Sequence, residues 1–147
     1  MSEHRLDPSL VTGDPLVDEQ HRAIHQLLDD ILTADDRPDE LMRVLERLMD
    51  HVDGHFLTEE DLMRRSGYDV VFAEPHIADH RRFADTARTA VLDFRAGTLT
   101  TMQPLVDLLR DWLTSHVDEY DRALIGFVRA QAITADRPAD QACVQPH

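Results

Sequence analysis

The 147-residue chain contains no lysine: all fifteen of its basic residues are arginine, set against twenty-nine acidic ones. The resulting formal charge of −14 excludes the clustered positive charge on which phosphate recognition depends, so neither nucleic acid nor an anionic membrane surface is an expected partner. A single cysteine, Cys143, cannot close an internal disulfide, which suits a reducing cytoplasm. No apolar run approaches the roughly 20 residues of a membrane-spanning helix. The first residues (MSEHRLDPS) lack the basic-then-apolar layout of a signal peptide. No membrane insertion and a cytoplasmic location are the expectations that follow. Period-two alternation, internal repeats and low-complexity stretches are also missing, which leaves no strand to predict.

What the sequence does have is helical periodicity from end to end. A first helix is predicted over about 15–34, capped by Asp14 and opened by Pro15, with an inward stripe of Val17, His21, Ile24, Leu28 and Ile31. A second, over about 39–65, carries Leu41, Leu45, Leu48, Val52, His55, Glu59 and Leu62, and stops at Gly67. A loop from Tyr68 through Glu74 is expected before a third helix over about 75–96, opened by Pro75 and bearing His76, His80, Phe83 and Ala87. The fourth, over about 102–132, is expected to cap on Thr101 and to turn Leu105, Leu109, Trp112, His116, Tyr120, Ala123 and Phe127 inward. Four helices with short connections predict one all-α domain over 1–133, an antiparallel up-down-up-down four-helix bundle. The polar, proline-bearing residues 134–147 read as a flexible tail.

Polar residues interrupt these stripes where the core should be dry. A buried imidazole or carboxylate without a partner costs roughly 1–3 kcal/mol, and a domain is stable by only about 5–15 kcal/mol. His21, His55, Glu59, His76, His80, His116 and Asp121 therefore require compensation. In an antiparallel bundle all seven belong to the same end, at overlapping heights. The pairs His55/Glu59 and His76/His80 are i,i+4 and share a face, whereas Glu60 points about 100° away from Glu59. His116 and Asp121 are i,i+5, about 140° apart, which requires a local distortion or a metal between the two directions. Five imidazoles and two carboxylates exceed the four donors of a tetrahedral zinc. They suit two transition metals sharing carboxylates, with iron favoured by the donor types.

These segments resemble the hemerythrins, specifically the single-domain bacterial kind, over roughly residues 10–130. VDEQHRAI is similar to the first-helix motif and contains His21; HFLTEEDLM, with His55 and Glu59, to the second. HIADHRRF carries the HxxxH pair His76 and His80, and DWLTSHVDEYDRAL carries His116 and Asp121. The resemblance implies a non-haem diiron site. One iron would be held by His76, His80 and His116, and the other by His21 and His55. Glu59 and Asp121 would bridge them with a solvent-derived oxo or hydroxo group. It further implies that O2 binds reversibly at the two-histidine iron, taking two electrons from the pair, within an apolar pocket of Ile24, Phe56, Trp112 and Leu113. Two positions depart from the pattern, because His25 and His51 stand where the family usually has aromatics. They are candidates for an outer hydrogen-bonded pair, a proton route or an additional metal site. Asp69 stands where proline is common, within a connection that reads as longer than the family's.

Three functions remain open on this reading: oxygen storage, delivery or scavenging without enzymatic turnover; a diiron oxidase, peroxidase or nitric-oxide-handling enzyme; and an O2 or redox sensor acting through a protein partner. The histidine-rich donor set favours Fe(II) and the first of these, since diiron oxidases use more carboxylates.

Overall fold

A computed structural model describes residues 6–98 and 100–131 of the chain; the tail expected over 134–147 and Cys143 lie outside the described residues. A short 3₁₀ turn at Pro8–Leu10 leads into α1 (Pro15–Thr33), α2 (Pro38–Ser66) and α3 (Val70–Arg95). The fourth rod consists of α4 (Gln103–His116), a π-helical turn (Val117–Asp121) and α5 (Arg122–Ala130), all in right-handed helical conformation across the junctions. Each rod packs on its neighbours around a ring, α1 on α2, α2 on α3, α3 on α4 and α4 on α1, which is a four-helix bundle. Among the described residues there is no strand, and no helix is long and apolar enough to cross a membrane.

Local chemistry sets most helix ends where the spacing predicts them. The Asp14 side chain accepts from the Val17 N–H at 3.0 Å, satisfying one of the orphan donors of the first turn. Gly67 ends α2 in the left-handed conformation, φ 70°, and Tyr68 N–H returns to the Met63 carbonyl at 3.0 Å.

Two boundaries differ from expectation. No loop runs to Glu74: α3 begins at Val70, because the Asp69 side chain accepts from the Val71 N–H at 2.9 Å and nucleates the helix early. Pro75 therefore lies inside α3, and the carbonyl its ring leaves unbonded belongs to Val71, on the exposed face. Asp69 thereby shortens the connection that the sequence reads as long. The fourth rod is not capped by Thr101; Met102 takes the cap position without a side-chain hydrogen bond, held there by its own complete burial.

The π turn also corrects the inward stripe of the fourth rod. It inserts one residue into the helical frame, with Arg122 N–H bonding the Val117 carbonyl. Past it, the buried positions are Asp121, Leu124, Ile125 and Val128, while Ala123 is exposed and Tyr120 and Phe127 are half-buried. Asp121 thus stands where an uninterrupted helix would have placed Tyr120.

The apolar core is split. One cluster runs from Leu10 through Ile24, Leu28, Leu48, Val52, Phe56, Phe83, Leu109 and Val117. A second, smaller one contains Val17, Leu62, Met63, Leu124, Ile125 and Val128. Along the chain His21 falls between Val17 and Ile24, Glu59 between Phe56 and Leu62, and Asp121 between Val117 and Leu124. Because Gly67 needs a positive φ, Gly67→Ala is expected to lower stability by about 1 kcal/mol. Gly54, in the middle of α2 with nothing within 4 Å of an added Cβ, should show the reverse on Gly54→Ala, a gain of roughly 0.5–1 kcal/mol. Both changes are read from denaturant unfolding midpoints.

Candidate metal centre

The dry layer between the two clusters holds His21, His55, Glu59, His76, His80, His116 and Asp121, each 1% exposed or less. All seven predicted donors are brought together. They form two overlapping groups, Glu59, His76, His80, His116 and Asp121 in one and His21, His55, Glu59 and Asp121 in the other; within each, the donor atoms lie within 4.8 Å of one another. Both carboxylates belong to both groups. Asp121 places Oδ2 3.0 Å from His21 Nε2, and Oδ1 2.9 Å from both His76 Nε2 and His116 Nε2. Glu59 places Oε1 3.0 Å from His80 Nε2 and 3.2 Å from His76 Nε2, and Oε2 3.2 Å from His55 Nε2. The π turn is what aims Asp121 inward, resolving the i,i+5 spacing by a local distortion.

The outer nitrogens of the imidazoles decide what the inner ones can do. His21 Nδ1–H donates to the Leu10 carbonyl at 2.9 Å, and His55 Nδ1–H to Gln20 Oε1 at 2.8 Å. His80 Nδ1–H donates to Glu60 Oε2 at 3.0 Å, and His116 Nδ1–H to Asp79 Oδ2 at 2.7 Å. Every one of these partners is an acceptor, so the tautomer carries its proton on Nδ1. The Gln20 amide is oriented in turn: its NH2 donates to Thr58 Oγ1 at 3.0 Å, and the Thr58 hydroxyl donates to the Gly54 carbonyl at 3.1 Å. Nε2 is then a lone pair pointed at carboxylate oxygens. His21 and His55 even bring their Nε2 atoms within 3.1 Å of each other. With Nδ1 protonated, Glu59 Oε2 and His116 Nε2 are buried with only other lone pairs beside them, and His76 Nδ1 is buried without a hydrogen-bond partner.

Acceptors facing acceptors in a dry layer need cations between them, either added protons or metal ions. The donor set fits a pair of metal ions on the criteria of donor type, convergence and fixed tautomer. Without metal, protons take that role. Burial lowers His116, but hydrogen bonds to Asp121 and Glu59 outweigh it and raise it to about 10. His21 and His76 are raised by Asp121 and Glu59 against the same penalty, whereas burial wins at His55 and lowers it. Glu59 is opposed by burial, yet His55, His116 and His76 hold it well below the ordinary carboxylate range. Asp121, opposed by burial and by Glu59, is also held down, by His116, His21 and His76.

The four residues expected to form the pocket belong to, or pack against, one apolar cluster. Ile24, Phe56 and Leu113 are buried in the larger apolar cluster, and Trp112 packs against it partly exposed. Phe56 stacks on His80 with ring centroids 3.9 Å apart, and Trp112 stacks on His116 at 4.4 Å. His25 is half-buried and His51 exposed; neither belongs to a donor group nor is an acceptor for the five imidazoles. The acceptors that sequence reasoning missed are Gln20, Glu60, Asp79 and the Leu10 carbonyl. Gln20, Glu60 and Asp79 adjoin His21, Glu59 and His80 in the chain, the one signal available; a backbone carbonyl leaves none.

The hemerythrin HHE cation binding domain model matches residues 12–128. Crystal structures of hemerythrin superpose on the chain. The wild-type protein is 28% identical with a TM-score of 0.69, and a point mutant is 27% identical with a TM-score of 0.70. Each alignment covers 76% of this chain and 86% of that one. No curated protein sequence matches.

In the metal-free protein, His116 stabilises fully below its ordinary 6.5 and loses that contribution as pH rises toward about 10. Melting temperature is therefore expected to fall across this window without metal and to stay flatter with it. Loading a divalent metal at pH 8 should release at least about one proton per chain, counted by pH-stat.

Proposed function

The chain belongs to the hemerythrin HHE cation-binding family, and from that premise we propose that it binds O2 reversibly at two non-haem iron ions, for storage, delivery or scavenging. The observation that carries this reading is the pair of overlapping donor groups sharing Glu59 and Asp121. His76, His80 and His116 would hold one iron and His21 and His55 the other, with the two carboxylates and a solvent-derived oxygen bridging them. A diferrous pair in that setting supplies the two electrons that O2 binding requires.

The rest is done by the chain. The two-histidine group has one protein donor fewer, which leaves room there for a small ligand. The outer acceptors Leu10, Gln20, Glu60 and Asp79 keep His21, His55, His80 and His116 in the metal-binding tautomer. Ile24, Phe56, Trp112 and Leu113 keep water from the layer, and a dry wall slows proton entry. Five neutral imidazoles against two carboxylates favour Fe(II) and hence release of bound O2 over further oxidation.

The deciding experiment is anaerobic loading with Fe(II), followed by air, under visible absorption. A charge-transfer band that rises in air and vanishes when O2 is removed is the expected result. Irreversible bleaching coupled to consumption of a reductant would replace carriage with enzymatic turnover. Asp121→Ala, which deletes a shared carboxylate, is expected to lower bound iron per chain by roughly half or more, whereas His51→Phe leaves it unchanged by metal analysis.

A further inference from the structure

The hydrogen bonds behind the imidazoles are not evenly distributed. In the three-histidine group, two of the rings rest on carboxylates: His116 on Asp79 at 2.7 Å and His80 on Glu60 at 3.0 Å. In the two-histidine group the supports are neutral, the Leu10 carbonyl for His21 and the Gln20 amide for His55. A hydrogen bond to a carboxylate is roughly twice as strong as one to a neutral acceptor, and it pushes electron density through the ring onto the opposite nitrogen. Asp79 is buried and also accepts from Arg82 at 2.6 Å while keeping its 2.7 Å contact with His116. The two carboxylate-supported rings are stacked as well, Trp112 over His116 and Phe56 over His80.

We infer that Asp79 and Glu60 are positioning residues that rank the two metal positions, making the His76/His80/His116 position the stronger donor set, which fills first and holds its ion more tightly. This ranking rests on the proposed two-metal reading and deepens it. It divides the labour within the layer: a firmly held ion anchors the pair, while the ion on the neutrally supported histidines is the weaker-held one beside the open place. Sequence spacing is silent on this, since Gln20, Glu60 and Asp79 all look like solvated helix residues.

The test is titration of the metal-free full chain with Co(II) in the absence of air, read by the visible absorption of the bound ion. The wild type is expected to bind two ions in two steps of unequal affinity. Asp79→Asn and Glu60→Gln, which keep an acceptor oxygen but remove the charge, should each weaken the first step by about 10- to 100-fold and leave the second unchanged. Gln20→Glu adds a carboxylate behind His55 and should tighten the second step, a gain that a merely structural role would not produce. Glu60 is partly exposed, so Glu60→Gln folds and carries the test even if Asp79→Asn does not. Equal steps in the wild type, or equal weakening of both steps in the charge-removing variants, would overturn the ranking while leaving the two-metal reading intact. Failure of the wild type to bind any Co(II) would overturn that reading, and the ranking with it.

Discussion

The fold depends on one electrostatic problem: lone pairs of five imidazoles and two carboxylates directed at each other in a layer from which water is excluded. No arrangement of the neighbouring apolar residues relieves it. The bundle therefore has a core in two parts, with Val17 and Leu62 on one side of the layer and Ile24 and Phe56 on the other. Cations between the donors turn that opposition into cohesion. Metal ions held there, as proposed, would also join the four rods at one height.

Two features make the layer possible. A π turn at Val117–Asp121 advances the fourth rod by one residue, so that a carboxylate rather than a tyrosine enters the centre. Such turns are less stable than regular helix and persist where something else rewards them; here the reward is a second carboxylate reaching both donor groups. The other feature is the ring of acceptors behind the histidines. It costs no core volume, since Gln20, Glu60 and Asp79 lie at the edge of the helices and Leu10 contributes only its carbonyl. Yet it decides which nitrogen of four of the five rings carries the proton. Carbonyl and amide on one side, carboxylates on the other, leave the two groups unequal in donor strength.

Periodicity is a local property, and whatever is local was legible in the residues. The i,i+4 spacing of His55 with Glu59 and of His76 with His80 follows from the helical repeat, and antiparallel packing brings the four segments to one level. The departures lie where a local rule meets a longer-range one. Pro75 reads as a helix start, but Asp69 supplies a better cap upstream. Thr101 reads as a cap, but the core claims Met102. Ala123 and Phe127 read as inward until the π turn shifts the frame.

By itself, then, the order of residues determined the helices, their apolar faces and the seven donors, because each follows from side-chain type repeated at the period of a helix. Tertiary structure alone decided which oxygen faces which nitrogen and which imidazole rests on a charge. Those are relations between rods, set by distances of about 3 Å across the bundle, and no spacing along a single chain encodes them.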